Sequence, residues 1–257
     1  MTKPSFPSAF SLRGETALIT GGGSGIGRAI AEAMHAAGAQ VILVGRREPE
    51  LAETVQALGD GATALPHDVT DLAQAPALVA RAEAAVGPIT CLVNNAGIHL
   101  KKPALETSTE EFERVLRTHV LGAHALTIAA ARGMTERQAG TILFTASMAS
   151  LFGIPQVVAY AAAKSAYLGM VRTYATEFSP LGIRVNAIAP GWIETALSRK
   201  AMAGDPQRRE KVISRTPMAR FGEPIDIGWA AVYLASPAAR FVTGVVLPVD
   251  GGVSIGF

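Results

Sequence analysis

Cysteine is almost absent from this chain of 257 residues: Cys91 stands alone. No internal disulfide is possible, and a reducing compartment is expected. Charge is sparse and balanced. Charged residues make up 17%, and 23 Lys+Arg against 21 Asp+Glu leave a formal net charge of +2. No block of five like charges occurs, which argues against a nucleic-acid footprint. Long apolar runs are missing as well, since no charge-free apolar run reaches the roughly 18 residues of a membrane span. The opening MTKPSFPSAFSL lacks the continuous apolar core of a signal peptide. These absences predict a soluble cytoplasmic protein with no nucleic-acid or membrane partner. Histidine is scarce too, five in all, yet two of them, His119 and His124, fall within VLRTHVLGAH at 115–124.

What is abundant is apolar sequence, 49% of the chain, arranged as short runs alternating with longer Ala-rich stretches. Strands are predicted at TALIT (16–20), VILV (41–44), TALP (63–66), ITCLV (89–93), TILFT (141–145), RVNAIA (184–189) and VVLPV (245–249). Helical patterns lie between them near 26–37, 48–58, 71–86, 109–133, 156–178 and 224–236. Strand and helix in alternation predict an α/β fold whose parallel sheet is covered on both faces. The strands are apolar throughout, as strands buried on two sides are. No repeat or Ser/Gly linker interrupts the chain, so 1–257 reads as one domain. The polar, irregular stretch at about 192–223 reads as an excursion from the sheet.

Directly after the first strand comes TGGGSGIGRAI (20–30), then a helix. Glycines allow a tight turn and close approach to a pyrophosphate, which a helix N-terminus attracts. The spacing is Gly21-x-x-x-Gly25-x-Gly27, not the strict G-x-G-x-x-G, and its place between first strand and first helix is what points to a dinucleotide. At the end of the second strand, where an acidic residue would bind the ribose of NAD, the sequence has Arg46 and Arg47. Arg46 is placed to pair with a 2′-phosphate, which favours NADP over NAD; a solvated basic pair is the bland alternative. Asp68, in HDVTD, is a candidate acceptor for an adenine amino group, or, with Asp71, a cap for the next helix.

YAAAK puts Tyr160 and Lys164 four residues apart on one helix face, and Ser147 closes the strand TILFTAS thirteen residues before Tyr160. A nearby ammonium would lower a phenol's pKa towards the working range of an acid–base catalyst. Ser147 would hold a substrate oxygen while Tyr160 passes it a proton.

With TGGGSGIG (20–27), DVTD (68–71), NNAG (94–97), Ser147, YAAAK (160–164), PGWIET (190–195) and VDGG (249–252), residues 12–257 resemble the short-chain dehydrogenase/reductase family. The resemblance implies a doubly wound, Rossmann-like seven-stranded sheet. It also implies NAD(P)-dependent hydride transfer between a nicotinamide and a carbonyl or secondary alcohol, with no metal. By position it implies catalytic roles for Ser147, Tyr160 and Lys164. Cofactor contacts are implied from Gly21, Gly23, Ser24, Gly25, Ile26, Gly27, Arg46, Arg47, Asp68, Val69, Asn94, Ala96, Gly97, Tyr160, Lys164, Pro190, Gly191, Ile193 and Thr195. Ser147, Met148, Tyr160, Trp192 and His99 would face substrate, with Lys101 and Lys102 as candidates for a sugar-acid carboxylate. The 192–223 stretch would be a mobile substrate lid, and the assembly a homotetramer or homodimer.

SAFSLRGETALITG, RTPMARFGEP and FVTGVVLPVDGG are similar to the gluconate 5-dehydrogenase and 2-deoxygluconate 3-dehydrogenase branches, and also to 3-oxoacyl-carrier-protein reductases. A sugar acid, polyol or related ketone is therefore the expected substrate, with a 3-oxoacyl thioester as alternative. A non-catalytic cofactor-binding regulator is the alternative of another class. His119 falls where the family carries a catalytic Asn. That Asn acts largely through its backbone carbonyl, which the substitution leaves in place. The imidazole would support the same helix kink and add a titration to the pH–rate profile.

Overall fold

The computed structural model describes residues 6–196, 198–199 and 206–256, without the side chains of Pro206 and Arg208. Lys200 and Asp205 of the expected lid lie outside the described residues. Seven strands form one parallel sheet in the order β3-β2-β1-β4-β5-β6-β7. They are β1 (Thr16–Thr20), β2 (Gln40–Gly45), β3 (Ala62–Pro66), β4 (Cys91–Asn94), β5 (Gly140–Thr145), β6 (Ile183–Pro190) and β7 (Val246–Val249). The strands sit within two residues of the runs expected from sequence.

The pleat sends alternate residues to opposite faces, and the two cores follow that rule. Leu18, Ile42, Val44, Leu92, Ile142 and Phe144 pack into one. Ala17, Ile19, Val41, Leu43, Cys91, Val93 and Leu143 pack into the other. The first core lies under α3 (Ala75–Val86), α5 (Gly122–Arg137) and α6 (Val158–Phe178). The second lies under α1 (Gly25–Ala36), α2 (Glu48–Leu58) and α8 (Pro224–Ala235). Burial pushes the Cys91 thiol up to about 12, so it remains a core residue without thiolate character.

Three elements differ from the sequence expectation. The helix expected from 71 begins as a 3-10 turn, Leu72–Gln74, and becomes α-helical only at Ala75. The helix expected over 109–133 is split into α4 (Thr109–Leu116) and α5 by a π-turn, Arg117–Leu121. Within the expected irregular excursion lies α7 (Pro206–Ser214), and a bridge between Ile193 and Gly222 closes its base. The order of the strands reverses between β1 and β4, the topological switch point where open α/β sheets carry their ligand crevice.

Candidate active site

A cavity of about 630 Å³ opens at that switch point. Gly21, Gly23, Ser24, Gly25, Ile26 and Gly27 form one wall, where β1 turns into α1. Gly27 admits no side chain, because a Cβ there would meet the Gly21 carbonyl oxygen and come within 2.5 Å of Asn95 Nδ2. Asn95, Ala96, Gly97 and Ile98 continue the lining beside it. Thr20 joins the two: its hydroxyl donates to the Val93 carbonyl at 3.1 Å and accepts from the Asn95 and Ala96 amides at 2.9 and 3.0 Å.

Arg46 and Arg47 stand at the rim with side chains about two-thirds exposed. Arg47 donates to Ser24 Oγ at 2.8 Å and pairs with Glu50 at 2.9 Å, while Arg46 lies 3.6 Å from Asp68. Burial opposes ionisation of the Asp68 carboxyl, but hydrogen bonds from Thr70 and the Arg46 charge outweigh it and hold the group below its usual range. One Asp68 oxygen accepts from both the amide and the hydroxyl of Thr70, each at 2.9 Å. Asp71 makes no side-chain cap. A glycine turn at a helix N-terminus, a rim of guanidinium groups and a cavity of this size fit a dinucleotide bearing phosphates.

At the end of β5, Ser147 accepts the Ala149 amide at 3.1 Å and acts on the Tyr160 phenol, favouring its ionised form. Lys164, one helical turn on, is 3% exposed and donates to the Thr145 carbonyl at 2.5 Å. Its Nζ is 5.7 Å from the Tyr160 ring centroid and 4.9 Å from that of Tyr167. Burial dominates both titrations. It raises the Tyr160 phenol against the opposing Ser147 hydrogen bond, and lowers Lys164 to about 7. A nearby ammonium is expected to lower the phenol; the net direction at Tyr160 is upward, set by burial. The lysine itself sits at the midpoint of its titration near neutral pH.

His119 lies within the π-turn and is 1% exposed. Its ring meets Tyr160 edge-on with centroids 5.7 Å apart. With the proton on Nε2 it donates to the Ile98 carbonyl at 2.8 Å, which leaves Nδ1 buried without a protein partner among the described residues. Its backbone carbonyl accepts the Tyr167 hydroxyl at 3.0 Å. Burial first, and the Lys164 charge second, depress the imidazole to about 3. The expected kink is present as the π-turn. The expected titration is absent from the working range, because a desolvated imidazole beside a cation stays neutral. His124 instead pairs with the Tyr174 hydroxyl at 2.5 Å.

Several predicted residues fall away from the cavity. Asn94 follows the strand alternation of Leu92, turns towards α5 and donates to Thr127 at 2.9 Å; its neighbour Asn95 lines the cavity in its place. The two-residue period of a strand carried that signal. Val69 and Thr195 line the cavity; Tyr160, Lys164, Pro190, Gly191 and Ile193 are not among its lining residues. Trp192 packs with Val212 and Phe221 and borders a second cavity of about 290 Å³ with Met218, Arg220 and Asp250. Met148 is buried. Lys102 is held by Glu111 at 2.9 Å, inside the capping box that Ser108 and Glu111 form at α4. His99 is exposed, its ring 5.0 Å from that of Tyr160. Thr118, in VLRTHVLGAH, and His67, in HDVTD, also line the cavity, roles the sequence analysis does not give them. Within 192–223, Glu194 faces Arg209 at 3.8 Å, and the Arg209 guanidinium lies 4.7 Å from the Phe221 ring centroid.

A hydroxyl pair over a neutral-range amine, beside a phosphate-shaped crevice, is able to exchange a proton with a substrate oxygen. A family model described as enoyl-(acyl carrier protein) reductase matches residues 21–254. The galactitol 2-dehydrogenase (L-tagatose-forming) of Cereibacter sphaeroides is 41% identical, over 97% of this chain and 99% of its own. The 3-oxoacyl-(acyl-carrier-protein) reductase FabG of Vibrio harveyi is 36% identical, over 95% and 98%. A solved gluconate 5-dehydrogenase of Burkholderia cenocepacia, in complex with NADP and tartrate, superimposes with a TM-score of 0.92 at 34% identity, covering 97% of this chain and 99% of that one. Among the described residues, no helix is long and apolar enough to cross a membrane, and no cluster of three His, Cys, Asp or Glu is arranged to hold a metal.

Proposed function

The chain belongs to the short-chain dehydrogenase/reductase family and is an NAD(P)-dependent oxidoreductase; from that premise we propose that Tyr160 exchanges the proton in the oxidation of a secondary alcohol, or reduction of a ketone, on a sugar acid or polyol. The observation that carries this reading is the packing of buried Lys164 against Tyr160, its Nζ 5.7 Å from that ring's centroid, with Ser147 acting on the same phenol. Bound in the crevice, a nicotinamide dinucleotide supplies or accepts the hydride. Ser147 holds the substrate oxygen. In the oxidising direction Tyr160 first gives up its own proton, for which the unprotonated Lys164 amine is the acceptor beside it, and then takes the hydroxyl proton as the carbinol hydrogen leaves with its electron pair for the nicotinamide; in the reducing direction the same transfers run backwards. Lys164, with a pKa near neutrality, exchanges protons at working pH.

The dinucleotide would be held by the glycine turn from Gly21 to Gly27, by Val69, Ala96 and Gly97, and by Thr195. Arg46 and Arg47 would clasp a 2′-phosphate, making NADP the preferred cofactor. Galactitol and gluconate dehydrogenases among the relatives support a polyhydroxylated substrate. The FabG relative supports the second reading, reduction of a 3-oxoacyl thioester. A cytoplasmic homotetramer of single-domain chains belongs to the same proposal, supported by the half-buried edge strand β7 and checked by light scattering on the eluted protein.

The test is a panel of hexitols, hexonates, ketoses and a 3-oxoacyl thioester, run separately with each nicotinamide and read at the reduced-nicotinamide band. Turnover of the hydroxylated substrates with NADP, lowered by two to four orders of magnitude in Tyr160→Phe, is the expected outcome. Turnover of the thioester alone selects the second reading.

A further inference from the structure

Tyr160, Lys164 and Tyr167 stand at i, i+4 and i+7 along α6, on one helix face. Helical side chains lean towards the N-terminus, so the Tyr167 ring reaches back to Lys164, whose Nζ lies over it 4.9 Å from the centroid. That is closer than the 5.7 Å to the Tyr160 ring. Tyr167 is fully buried and held at two further points. Its hydroxyl donates to the His119 carbonyl at 3.0 Å, and its ring packs on Phe144 with centroids 5.1 Å apart. Burial, and then the Tyr160 charge, raise the Tyr167 phenol above its ordinary range, so it stays neutral beside a titrating amine. Around this cluster the π-turn contributes His119, which burial keeps neutral, β5 the Thr145 carbonyl, and the loop after β4 His99, against Tyr160. The groups from α4, from the turn after β5 and from β6 are apolar: Val115, Met148 and Ala149, and Val185 and Ala187.

We infer that Tyr167 is a positioning residue for Lys164: its ring face stabilises the ammonium formed when that amine takes the Tyr160 proton. This rests on the proton exchange proposed for Lys164, and it names what holds the charge formed there. At 3% exposure, Lys164 has little access to the water that would otherwise solvate an ammonium. A tyrosine face within about 6 Å attracts a cation most strongly when both are desolvated. The Thr145 carbonyl accepts one of the three ammonium protons, and the ring supplies a second stabilising contact. The bond from the Tyr167 hydroxyl to His119 anchors the ring, so its face stays turned to the amine. Without that face, Lys164 would fall further below its already depressed pKa of about 7.

The experiment compares wild type, Tyr167→Phe, the same variant with a trifluorinated phenylalanine ring, and Tyr167→Met. Phe keeps the ring face and removes the hydroxyl. Fluorination nearly keeps the shape of Phe and drains its face of negative charge, so it tests the face without opening a cavity. Met fills the space with no face at all. The Lys164 pKa is read directly by nitrogen NMR titration of the lysine side chains, with Lys164→Met identifying its signal. It is read in parallel from the pH dependence of kcat. Fluorination and Tyr167→Met are each expected to lower it by roughly one pH unit, and Tyr167→Phe by less than about a third of a unit. At neutral pH a shift of that size takes the protonated fraction from about one half to about one tenth. The inflection in kcat should move with it, and the cofactor KM should not change. One pKa common to all four proteins overturns the inference, and so does a shift in Tyr167→Phe as large as in its fluorinated form. An NMR shift that the rate profile does not follow upholds the ring's hold on the charge and overturns the proton exchange proposed for Lys164.

Discussion

The imidazole of His119 lies directly against Gly97, in the space a Cβ at that position would occupy. One residue is the last glycine of the NNAG loop that walls the cavity; the other is the centre of a π-turn 22 positions on. Together with the bond from His119 to Ile98, the contact fixes the loop beside Tyr160.

Gly97→Ala is therefore expected to cost about 1–3 kcal/mol of stability through overpacking and to weaken cofactor binding by displacing the cavity wall. His119→Asn, a smaller side chain, should recover part of both losses in the double variant. Denaturant midpoints and cofactor dissociation constants for the four proteins of the cycle measure the coupling. Strict additivity would mean that the two residues do not press on each other.

His119 also makes acid sensitivity predictable. Its folded pKa of about 3 lies below the ordinary 6.5, so between those values the unfolded chain binds a proton that the folded one refuses. Stability falls as pH falls through this window, by about 2 kcal/mol at pH 5. His119→Asn should lose that dependence, seen as a flatter melting temperature between pH 7 and 4. Above pH 5 its pH–rate curve should keep the shape of the wild type.

Lys164 acts in the alkaline window with the same sign. Its folded pKa of about 7 lies below the ordinary 10.5, so from pH 7 upward the unfolded state holds a proton that the folded state has released. Stability gains at most about 1.4 kcal/mol per pH unit from this group as pH rises. Lys164→Met should remove the slope, and should abolish the inflection near pH 7 in the rate profile of whatever activity survives.

At the rim, Arg46→Ala should raise KM for NADP roughly ten- to a hundredfold, the worth of a charge-assisted contact to phosphate, and leave KM for NAD nearly unchanged. Equal effects on the two cofactors would remove the 2′-phosphate from the Arg46 account.

Local pattern determined the sheet, the glycine turn and the Tyr160–Lys164 pair. Each depends on residues adjacent in sequence: apolar runs set the strands, glycines the turn, and four-residue spacing the shared helix face. The alternation in β4 even held the orientation of Asn94, although the NNAG motif drew attention away from it. What only the tertiary structure decided is electrostatic and long-range. Whether His119 titrates depends on how completely Ile98, Tyr160 and Lys164 enclose it, and no spacing encodes that desolvation. The same holds for Lys164, whose burial under the Thr145 carbonyl turns a surface-type cation into a neutral-range amine, and for Lys102, which pairs with Glu111. Sequence determines which groups are present. Packing determines which of them keep their charge, because the cost of an ion is set by the water it loses.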